Sequence, residues 1–284
     1  MRIIAIIILL IGVLLMTFPI FSNIMFERRQ EFLSNYYKEQ ASKFSVEEID
    51  SRIQECIEYN HALLERGVFL TDPFNNEQKS SDKIVYENLL NLYGDGGMGS
   101  IEIPGITNNL IIYHGVEEDV LQKGVGHLSG SSLPVGGEGT HCLLSAHSGL
   151  SSKKLFTDLD CVKEGDIFYL HILGETLAYK VDQIRTILPY ETDSLKIEKD
   201  KDYVTLITCT PYGVNSHRLL VRGVRIPYEE AKEIEVIQVQ NNSTWREKYI
   251  AAVFIGVIFL SIISVIMWLF NFIKRHKNNG GRKI

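Results

Sequence analysis

Two long stretches of this sequence lack charged residues altogether. Residues 3–26 and residues 250–273 are each 24 residues long and contain no Asp, Glu, Lys or Arg. A helix of that length reaches roughly 36 Å, enough to cross a hydrocarbon core of about 30 Å. Because 45% of the chain is apolar and these runs concentrate the excess, an ordinary soluble protein is excluded. The sequence predicts a transmembrane anchor at 1–26 and a transmembrane helix at 250–273.

The first run also lacks the marks of a cleaved signal peptide. It is longer than the usual stretch of about 7 to 15 apolar residues, and it has no convincing small-residue cleavage site. We therefore favour an uncleaved anchor over a signal peptide.

Acidic residues are missing from the C-terminal tail, 274–284, which carries five Lys and Arg residues. Positive charge beside a membrane span marks the cytoplasmic side. Two spans would return the N-terminus to that same side, whereas the basic residues flanking the first run, Arg2 on one side and Arg28 and Arg29 on the other, oppose one another. The sequence predicts a cell-membrane protein with both termini in the cytoplasm and the segment between the spans outside the cell.

That middle segment is short of basic residues. Of the 29 Lys and Arg residues in the chain, six are Arg2 or lie in the tail, which leaves 23 against all 35 Asp and Glu residues, a net charge of −12. Phosphates would be repelled by this charge, so binding to nucleic acid is disfavoured. A net charge of this kind describes a solvated acidic surface and not a particular chemistry.

Cysteine is scarce as well, with four in the chain and no CxxC pair. Four cysteines on an exported segment could form two disulfides in three connectivities, but a segment as long as 27–249 can bury enough core without them. Cys56 lies on a helical stretch and Cys142 in an apolar run, where small buried thiols are common. The spacing of possible ligands predicts no metal site, and no cofactor is expected.

The remaining pattern changes from helical to β along the chain. Charged residues with helical spacing predict a juxtamembrane helical region at 27–66, followed by a loop at 67–81 that is rich in turn residues. We assign residues 82–230 to a β domain that begins with a short helix, and residues 231–249 to a linker. The short apolar runs of the β domain, separated by Gly, Pro and Asn, are typical of an all-β barrel or sandwich. The predicted strands are 99–103, 110–113, 141–147, 167–172, 176–187, 203–209 and 218–226, with a short helix from Glu117 to Lys123.

One predicted strand ends in a thiol. Thr205–Cys209 is apolar and β-branched, and the Thr210-Pro211 pair that follows cannot continue a central strand. The next strand begins at Arg218, so the thiol and the guanidinium would face each other if the two strands are antiparallel neighbours. A guanidinium in that place would favour the thiolate and would present N–H donors to an oxyanion.

A histidine stands at the end of another predicted strand. His147 follows the apolar run 142–146, and strand ends are where barrels place reactive groups. The residues alone leave alternatives open. The alternatives are His127 and His217 for the histidine, and Arg222 and Arg225 for the arginine.

Together these residues resemble the signature of the sortase family, in which TLxTC is followed by an arginine. Three further segments, 126–137, 208–213 and 217–223, are similar to class C sortases, which assemble pili, and the resemblance covers about residues 70–226. It implies a mainly β fold, an eight-stranded sortase-type barrel with N-terminal helices, flanked by two transmembrane helices. The chain departs from the family at Ser148, where an arginine is often found.

The resemblance also implies a role for each site residue. Cys209 would be the nucleophile, His147 the general acid that gives a proton to the leaving amine, and Arg218 the oxyanion stabiliser. The segment Asp72-Pro73-Phe74 is similar to the lid of class C sortases, in which Asp72 would pair with Arg218 and Phe74 would cover the Cys209 sulfur. Taken without the family, Asp72-Pro73-Phe74 is equally an ordinary turn, because Pro and Asp are common in turns.

The activity implied is that of a cysteine transpeptidase. Such an enzyme would cleave an LPxTG-like sorting signal between Thr and Gly through a thioacyl intermediate on Cys209, and would transfer the acyl group to an amine, here a pilin lysine. Its partners would be pilin or surface proteins carrying such signals, together with the membrane. The alternatives are a sortase that anchors proteins to the cell wall, an exported thiol hydrolase, and a non-catalytic membrane-bound scaffold for pilus assembly.

Overall fold

The structure is a computed structural model. It describes residues 2–66, 83–150, 152–241 and 249–263, together with residues 266 and 269. The chain divides into two compact units, one made of Met1–Met16 with Ser243–Ile284 and the other of Thr17–Asn242. In the first unit, the Tyr249 hydroxyl donates a hydrogen bond of 2.7 Å to the carbonyl oxygen of Met16.

Helices precede and follow the strands. The helices are α1 (Arg2–Ala41), α2 (Val46–Arg66), α3 (Lys83–Asn88), α4 (Glu118–Leu121) and α5 (Tyr228–Asn241), with two short 3-10 helices at Leu159–Cys161 and Asp193–Leu195. A capping box starts α2, because the Ser45 amide donates to the Glu48 carboxylate at 2.9 Å and the Glu48 amide donates to the Ser45 hydroxyl at 3.2 Å. This box fixes the break between the two long helices.

Within the described part of the chain, one helix is long and apolar enough to cross a membrane. It covers Ile11–Ala41, and the apolar helix Tyr249–Ile263 is shorter than a span requires. The predicted second span is 250–273, and most of its residues after 263 lie outside the described residues. That span therefore stays a prediction. The N-terminal apolar helix fits a membrane anchor.

Eight strands close into a barrel. They are β1 (Gly97–Ile103), β2 (Thr107–His114), β3 (Val125–His127), β4 (Thr140–Ser145), β5 (Ile167–Ile172), β6 (Glu175–Ile187), β7 (Asp202–Thr210) and β8 (His217–Ile226). Around the barrel the order is β1-β2-β3-β4-β7-β8-β6-β5. Two pairs, β2 with β3 and β4 with β7, are parallel, and the other pairs are antiparallel. The predicted eight-stranded barrel with N-terminal helices is confirmed.

Two details of the strands differ from the prediction, and helix α5 occupies residues that were predicted to belong to a linker, 231–249. The three-residue strand β3 was not predicted, because a strand this short shows no alternation of apolar and polar residues. The strand predicted to reach His147 ends at Ser145, so the histidine lies in the loop just beyond the sheet.

Both faces of β4, β7 and β8 are buried near the site. Val204 and Leu206 point into the main core, whereas Ile207 belongs to a second apolar cluster on the other face of the sheet. We call this second group the outer cluster. Its members are Val116, Leu121, Leu128, Leu143, Leu195, Ile207 and Leu220, with Ile187 packed against them. Burial on both faces explains why the sequence of β7 is almost continuously apolar.

A polar face of α1 fastens this helix to the barrel. The buried Gln30 amide accepts from the Ile111 amide at 2.9 Å and donates to the Lys123 carbonyl at 2.9 Å. One turn further, the Ser34 and Ser100 hydroxyls are 3.1 Å apart, and the chain of contacts continues to Tyr37, which donates to Asp95 at 2.6 Å. These directional bonds fix both the rotation of α1 about its axis and its position along the barrel.

Candidate active site

The thiol and the guanidinium face each other across the β7–β8 hairpin. Cys209 and Arg218 are partners in the antiparallel register, and directly opposite side chains in such a pair have Cβ atoms about 4.5–5.5 Å apart. The Arg218 side chain is 9% exposed, and its Nη1 donates to the carbonyl oxygens of Asn215 at 3.1 Å and His217 at 3.2 Å. The hairpin loop therefore holds the guanidinium beside the cysteine.

His147 reaches the same end of the sheet from the neighbouring strand. The last parallel pair between β4 and β7 is Ser145 with Ile207. Two bonds carry the alignment further, since the Ala146 amide donates to the Ile207 carbonyl at 3.1 Å and the Thr208 hydroxyl donates to the Ala146 carbonyl at 2.7 Å. His147 and Cys209 each stand two residues beyond the Ser145–Ile207 pair, on strands that lie about 4.8 Å apart. The fold brings the three predicted site residues together.

A chain of polar side chains continues beyond the histidine. His147 Nε2 lies 3.3 Å from the Glu118 carboxylate of α4, and Gln122 donates to the same carboxylate oxygen at 2.7 Å. Lys153 in turn donates to the carbonyl oxygen and side-chain oxygen of Gln122. The imidazole is 20% exposed, although its Nε2 atom is buried, and the Glu118 carboxylate is 64% exposed. A carboxylate in this place can orient the imidazole through this contact.

Sequence reasoning did not identify Glu118. The helix that carries it was predicted, but the sequence contains no signal that this helix packs against the loop after β4. That contact depends on the pairing of β3 with β4, which brings the N-terminal end of α4 beside residue 147.

The chain is similar to known proteins in both sequence and structure. A protein-family model described as a sortase domain matches residues 101–226. A solved sortase C of Streptococcus pneumoniae is 44% identical, with a TM-score of 0.64, and the match covers 69% of this chain and 97% of that one. The sortase C-1 of Actinomyces oris is 45% identical, with a TM-score of 0.59, over 63% of this chain and 99% of that one. This chain belongs to the sortase family.

Members of the sortase family are cysteine transpeptidases, and the solved structures that this sortase resembles belong to class C. Among curated proteins, the Sortase A of Streptococcus agalactiae is 32% identical over 116 residues. This match covers 40% of the chain and 47% of that protein, so the chain spans about half the length of this curated relative.

The alternative histidines have other surroundings in this sortase. His127 is fully buried, with Nδ1 at 2.9 Å from the Tyr86 hydroxyl and Nε2 at 2.9 Å from the Ser132 carbonyl. Burial lowers the pKa of His127 to about 4, and a neutral ring satisfies both contacts. His217 faces Thr210 in the register and bonds the neighbouring Ser216. Neither ring shares the position of His147.

The alternative arginines are engaged further along β8. Arg222 donates to both carboxylate oxygens of Asp182, at 3.0 and 2.7 Å, and its guanidinium lies 4.1 Å from the ring centre of Tyr203. Arg225 lies over the ring of Tyr179 at 5.5 Å. Because Arg222 is paired in register with Thr205 and not with Cys209, we retain Arg218.

None of the four cysteines, all of which lie in the described part of the chain, is in a disulfide. Cys56 and Cys142 are buried, and burial raises the pKa of the Cys56 thiol to about 12 and that of Cys142 well above its usual range. Cys161 and Cys209 are partly exposed. Two thiols are therefore accessible to reagents, and Cys209 is the one that faces an arginine.

Buried apolar side chains lie next to the site. Below the level of Cys209, the outer cluster continues the same face of the sheet, with Leu195 of the β6–β7 loop covering one side. His141 fixes this loop, because its ring nitrogens lie 2.9 Å from the Lys196 carbonyl and 2.7 Å from the Thr205 hydroxyl. The predicted lid residues, Asp72, Pro73 and Phe74, lie outside the described residues.

Proposed function

We propose that this sortase polymerises pilin subunits or links other surface proteins. It cleaves an LPxTG-like sorting signal between Thr and Gly through a thioacyl intermediate on Cys209, and it transfers the acyl group to an amine such as a pilin lysine. The observation that carries the proposal is the in-register pairing of Cys209 with Arg218 beside the end of β4. The active centre comprises Cys209 as nucleophile, His147 as general acid and Arg218 as oxyanion stabiliser.

The first half of the reaction forms a thioester. The Cys209 thiolate attacks the threonine carbonyl carbon, and the negative charge moves to the carbonyl oxygen, where the Arg218 guanidinium donates to it. As the C–N bond breaks, protonated His147 gives its proton to the departing glycine nitrogen. The products are a thioacyl enzyme, a free amine and a neutral imidazole.

The second half reverses these roles. An incoming amine attacks the thioester carbon, the neutral His147 takes the proton that the amine loses, and the Cys209 thiolate leaves. Because the thioester keeps the acyl group activated, the new amide forms without ATP, which suits a reaction outside the cell.

Two of the related structures support a pilin as substrate. The work on the S. pneumoniae sortase C concerns pilin substrate specificity, and another neighbour, at 44% identity, is the sortase C1 of a streptococcal pilus island. A product assay tests the proposal: a sorting-signal peptide is incubated with the enzyme, with and without an amine acceptor. Amide formation with the acceptor supports transpeptidation, whereas hydrolysis in both arms would indicate a thiol hydrolase.

A scaffold without catalysis is the alternative of another class. It requires that Cys209→Ala leave surface-protein polymerisation intact. Cys161→Ala is the matched control, because Cys161 is the other partly exposed thiol. Loss of polymerisation in Cys209→Ala alone excludes the scaffold.

We also propose that the catalytic domain lies outside the cell, between two membrane spans. The N-terminus before the first span and the tail after the second span would both be cytoplasmic. The apolar N-terminal helix and the basic tail support this arrangement. The domain assignment then stands as anchor 1–26, juxtamembrane helices 27–66, lid loop 67–81, catalytic barrel 82–230, linker 231–249, second span 250–273 and tail 274–284. A protease added to intact cells should cleave a site inserted at 242–248 and spare one in the tail.

A further inference from the structure

The last apolar residues of the anchor helix lie against the catalytic barrel. The Ser22 hydroxyl of α1 donates to the Ser152 carbonyl at 3.0 Å, and the neighbouring Asn23 is buried. On the face of the helix opposite Asn23, the side chains of Phe18, Phe21 and Met25 are exposed. A helix that turns polar groups to protein and large apolar groups outward suits a lipid environment.

The position of Ser22 sets a height. The first charged residues after the apolar run are Glu27, Arg28 and Arg29, and both arginines are exposed. Ser22 lies five residues before Glu27, or about 7.5 Å along the helix axis. The headgroup layer of a bilayer leaflet is about 5–7 Å thick. With the charges at the water side of that layer, Ser22 and its partner Ser152 lie at the boundary of the hydrocarbon.

Ser152 belongs to the loop that follows His147. In the same loop, Gly149 packs against Tyr212, since a Cβ atom on this glycine would lie 3.0 Å from the tyrosine ring. Three residues of chain, at most about 11 Å, separate Gly149 from Ser152. The tip of the β7–β8 hairpin is therefore close to the membrane height set by α1.

That tip exposes two large side chains. Tyr212 is 61% exposed and Val214 is 69% exposed, and both stand in the loop between Cys209 and Arg218. Tyrosine is favoured at membrane interfaces, where its ring meets acyl chains and its hydroxyl meets water. Arg28 and Arg29, which follow on α1 at the water side of the headgroup layer, suit anionic headgroups.

We propose that the catalytic end of the barrel docks on the outer leaflet of the membrane, with Tyr212 and Val214 inserted into the lipid interface. The lipid surface is favoured over a protein partner because Gly149 and Ser152 connect the tip to the segment of α1 whose exposed side chains are apolar. The consequence for substrates rests on the proposed function: Cys209 would meet sorting signals at the membrane surface, before a membrane-anchored precursor is released.

Lipid quenching of tryptophan fluorescence tests this docking in the full chain, reconstituted into phosphatidylcholine–phosphatidylglycerol vesicles. The native tryptophans are first removed as Trp245→Phe and Trp268→Phe. One variant then carries Val214→Trp, and the matched control carries Glu175→Trp. Glu175 is exposed and starts β6, whose other end, Ile187, is level with Arg218. The control residue therefore lies at the far end of the barrel.

Lipids brominated in the acyl chain should reduce the fluorescence of the Val214→Trp variant and leave that of Glu175→Trp unchanged. If the fluorescence of the Val214→Trp variant is the same in brominated and ordinary vesicles, as is expected for Glu175→Trp, the proposal is overturned. The readout needs no catalysis, so it remains valid if the proposed transpeptidation fails.

A second measurement uses Val214→Ser in the otherwise native chain. Transfer from a precursor in the same vesicle should fall, whereas transfer from a soluble sorting-signal peptide in detergent should stay unchanged. An equal fall in both assays contradicts a lipid role. Reduced vesicle transfer without lipid quenching would assign the tip to a protein partner, which also overturns the proposal.

Discussion

Arg218 is held at the site by its own hairpin loop, through the Asn215 and His217 carbonyls. Those bonds use one nitrogen of the guanidinium and orient the remaining N–H groups as a rigid fork. Lysine would keep the positive charge, but its flexible ammonium cannot reproduce that fork. The contribution of Arg218 therefore depends on geometry as well as on charge.

We expect Arg218→Lys to lower kcat by about 10²- to 10³-fold, the usual cost of losing an oxyanion donor. The KM for the sorting-signal peptide should change little, because the charge it stabilises develops only during attack. Steady-state kinetics with an amine acceptor measure both constants. A kcat within twofold of the native enzyme, in a variant that melts normally, would contradict the assigned role.

We expect Glu118 to influence the reaction through its contact with His147. The contact of 3.3 Å is partly exposed, and pairs of this kind contribute up to about 1 kcal/mol. We expect Glu118→Gln to lower kcat by up to about fivefold, with partial rescue in Glu118→Asp. Asp119→Asn is the matched control, because Asp119 pairs with Lys123 on the same helix. Equal kcat values for Glu118→Gln and Asp119→Asn would remove Glu118 from the catalytic account.

The sequence predicts Cys209 and Arg218 as a facing pair because both lie at strand ends separated by a short loop. It predicts His147 less directly, since three histidines have similar local settings and the parallel pairing of β4 with β7 decides among them. Glu118 cannot be predicted in this way, because its contact joins two segments whose packing follows from tertiary structure.

Buried histidines tie loops to the barrel. His127 joins α3 to β3 through the Tyr86 hydroxyl, and His141 joins the β6–β7 loop to β4 and β7. Burial lowers the pKa of each ring to about 4. Both rings are neutral at physiological pH, where one nitrogen donates and the other accepts.

The stability of the fold should therefore depend on pH. Unfolded histidine has a pKa of about 6.5, so on acidification the unfolded state takes up protons first. The stability due to the neutral rings is fully present above about pH 6.5 and is lost as the pH falls towards 4. At pH 5 each ring should cost about 2 kcal/mol.

Thermal unfolding of the full chain in detergent, at pH 7 and pH 5, measures this effect. The decrease in Tm between the two pH values should be smaller in His141→Gln than in the native protein. The exposed His61 provides the control, since His61→Gln should leave the decrease unchanged. Identical Tm values for the native chain at both pH values would show that the buried rings do not control its acid stability.

The lid loop, 67–81, is predicted from the sequence alone, because it lies outside the described residues. If Asp72-Pro73-Phe74 covers the active centre, Asp72→Ala combined with Phe74→Ala should speed the alkylation of Cys209. A Cys161→Ser background removes the other partly exposed thiol from the signal. Labelling rates that match those of the unaltered loop would count against a lid.

Strands were the most predictable elements, because apolar runs separated by Gly, Pro and Asn locate seven of the eight strands, with ends within three residues of those observed. The exception, β3, has only three residues, and its place depends on partners on both sides. The anchor was predicted as a separate segment, whereas α1 continues from it without a break as far as Ala41. Helical spacing in residues 27–41 predicts that continuation, but not the contact of the helix with the barrel.

For the whole molecule, tethering adds to the chemistry without changing any contact. An anchored enzyme and an anchored precursor share one surface, and this raises their effective concentration for each other. The bonds between α1 and the barrel, from Ser22 to Tyr37, hold this part of the helix against the catalytic domain. In the proposed docking, this attachment would fix the distance of the active centre from the membrane.

The acyl-enzyme is the species on which the whole account depends. The full chain is incubated with a sorting-signal peptide in the absence of an acceptor amine, and tryptic peptides are analysed by mass spectrometry. We expect an adduct on Cys209, with the mass of the peptide up to its threonine, and no adduct on Cys161. Hydroxylamine should release the adduct, and the Cys209→Ala variant should not form it. Turnover of the peptide without any adduct on Cys209, or unimpaired turnover by Cys209→Ala, would contradict the account.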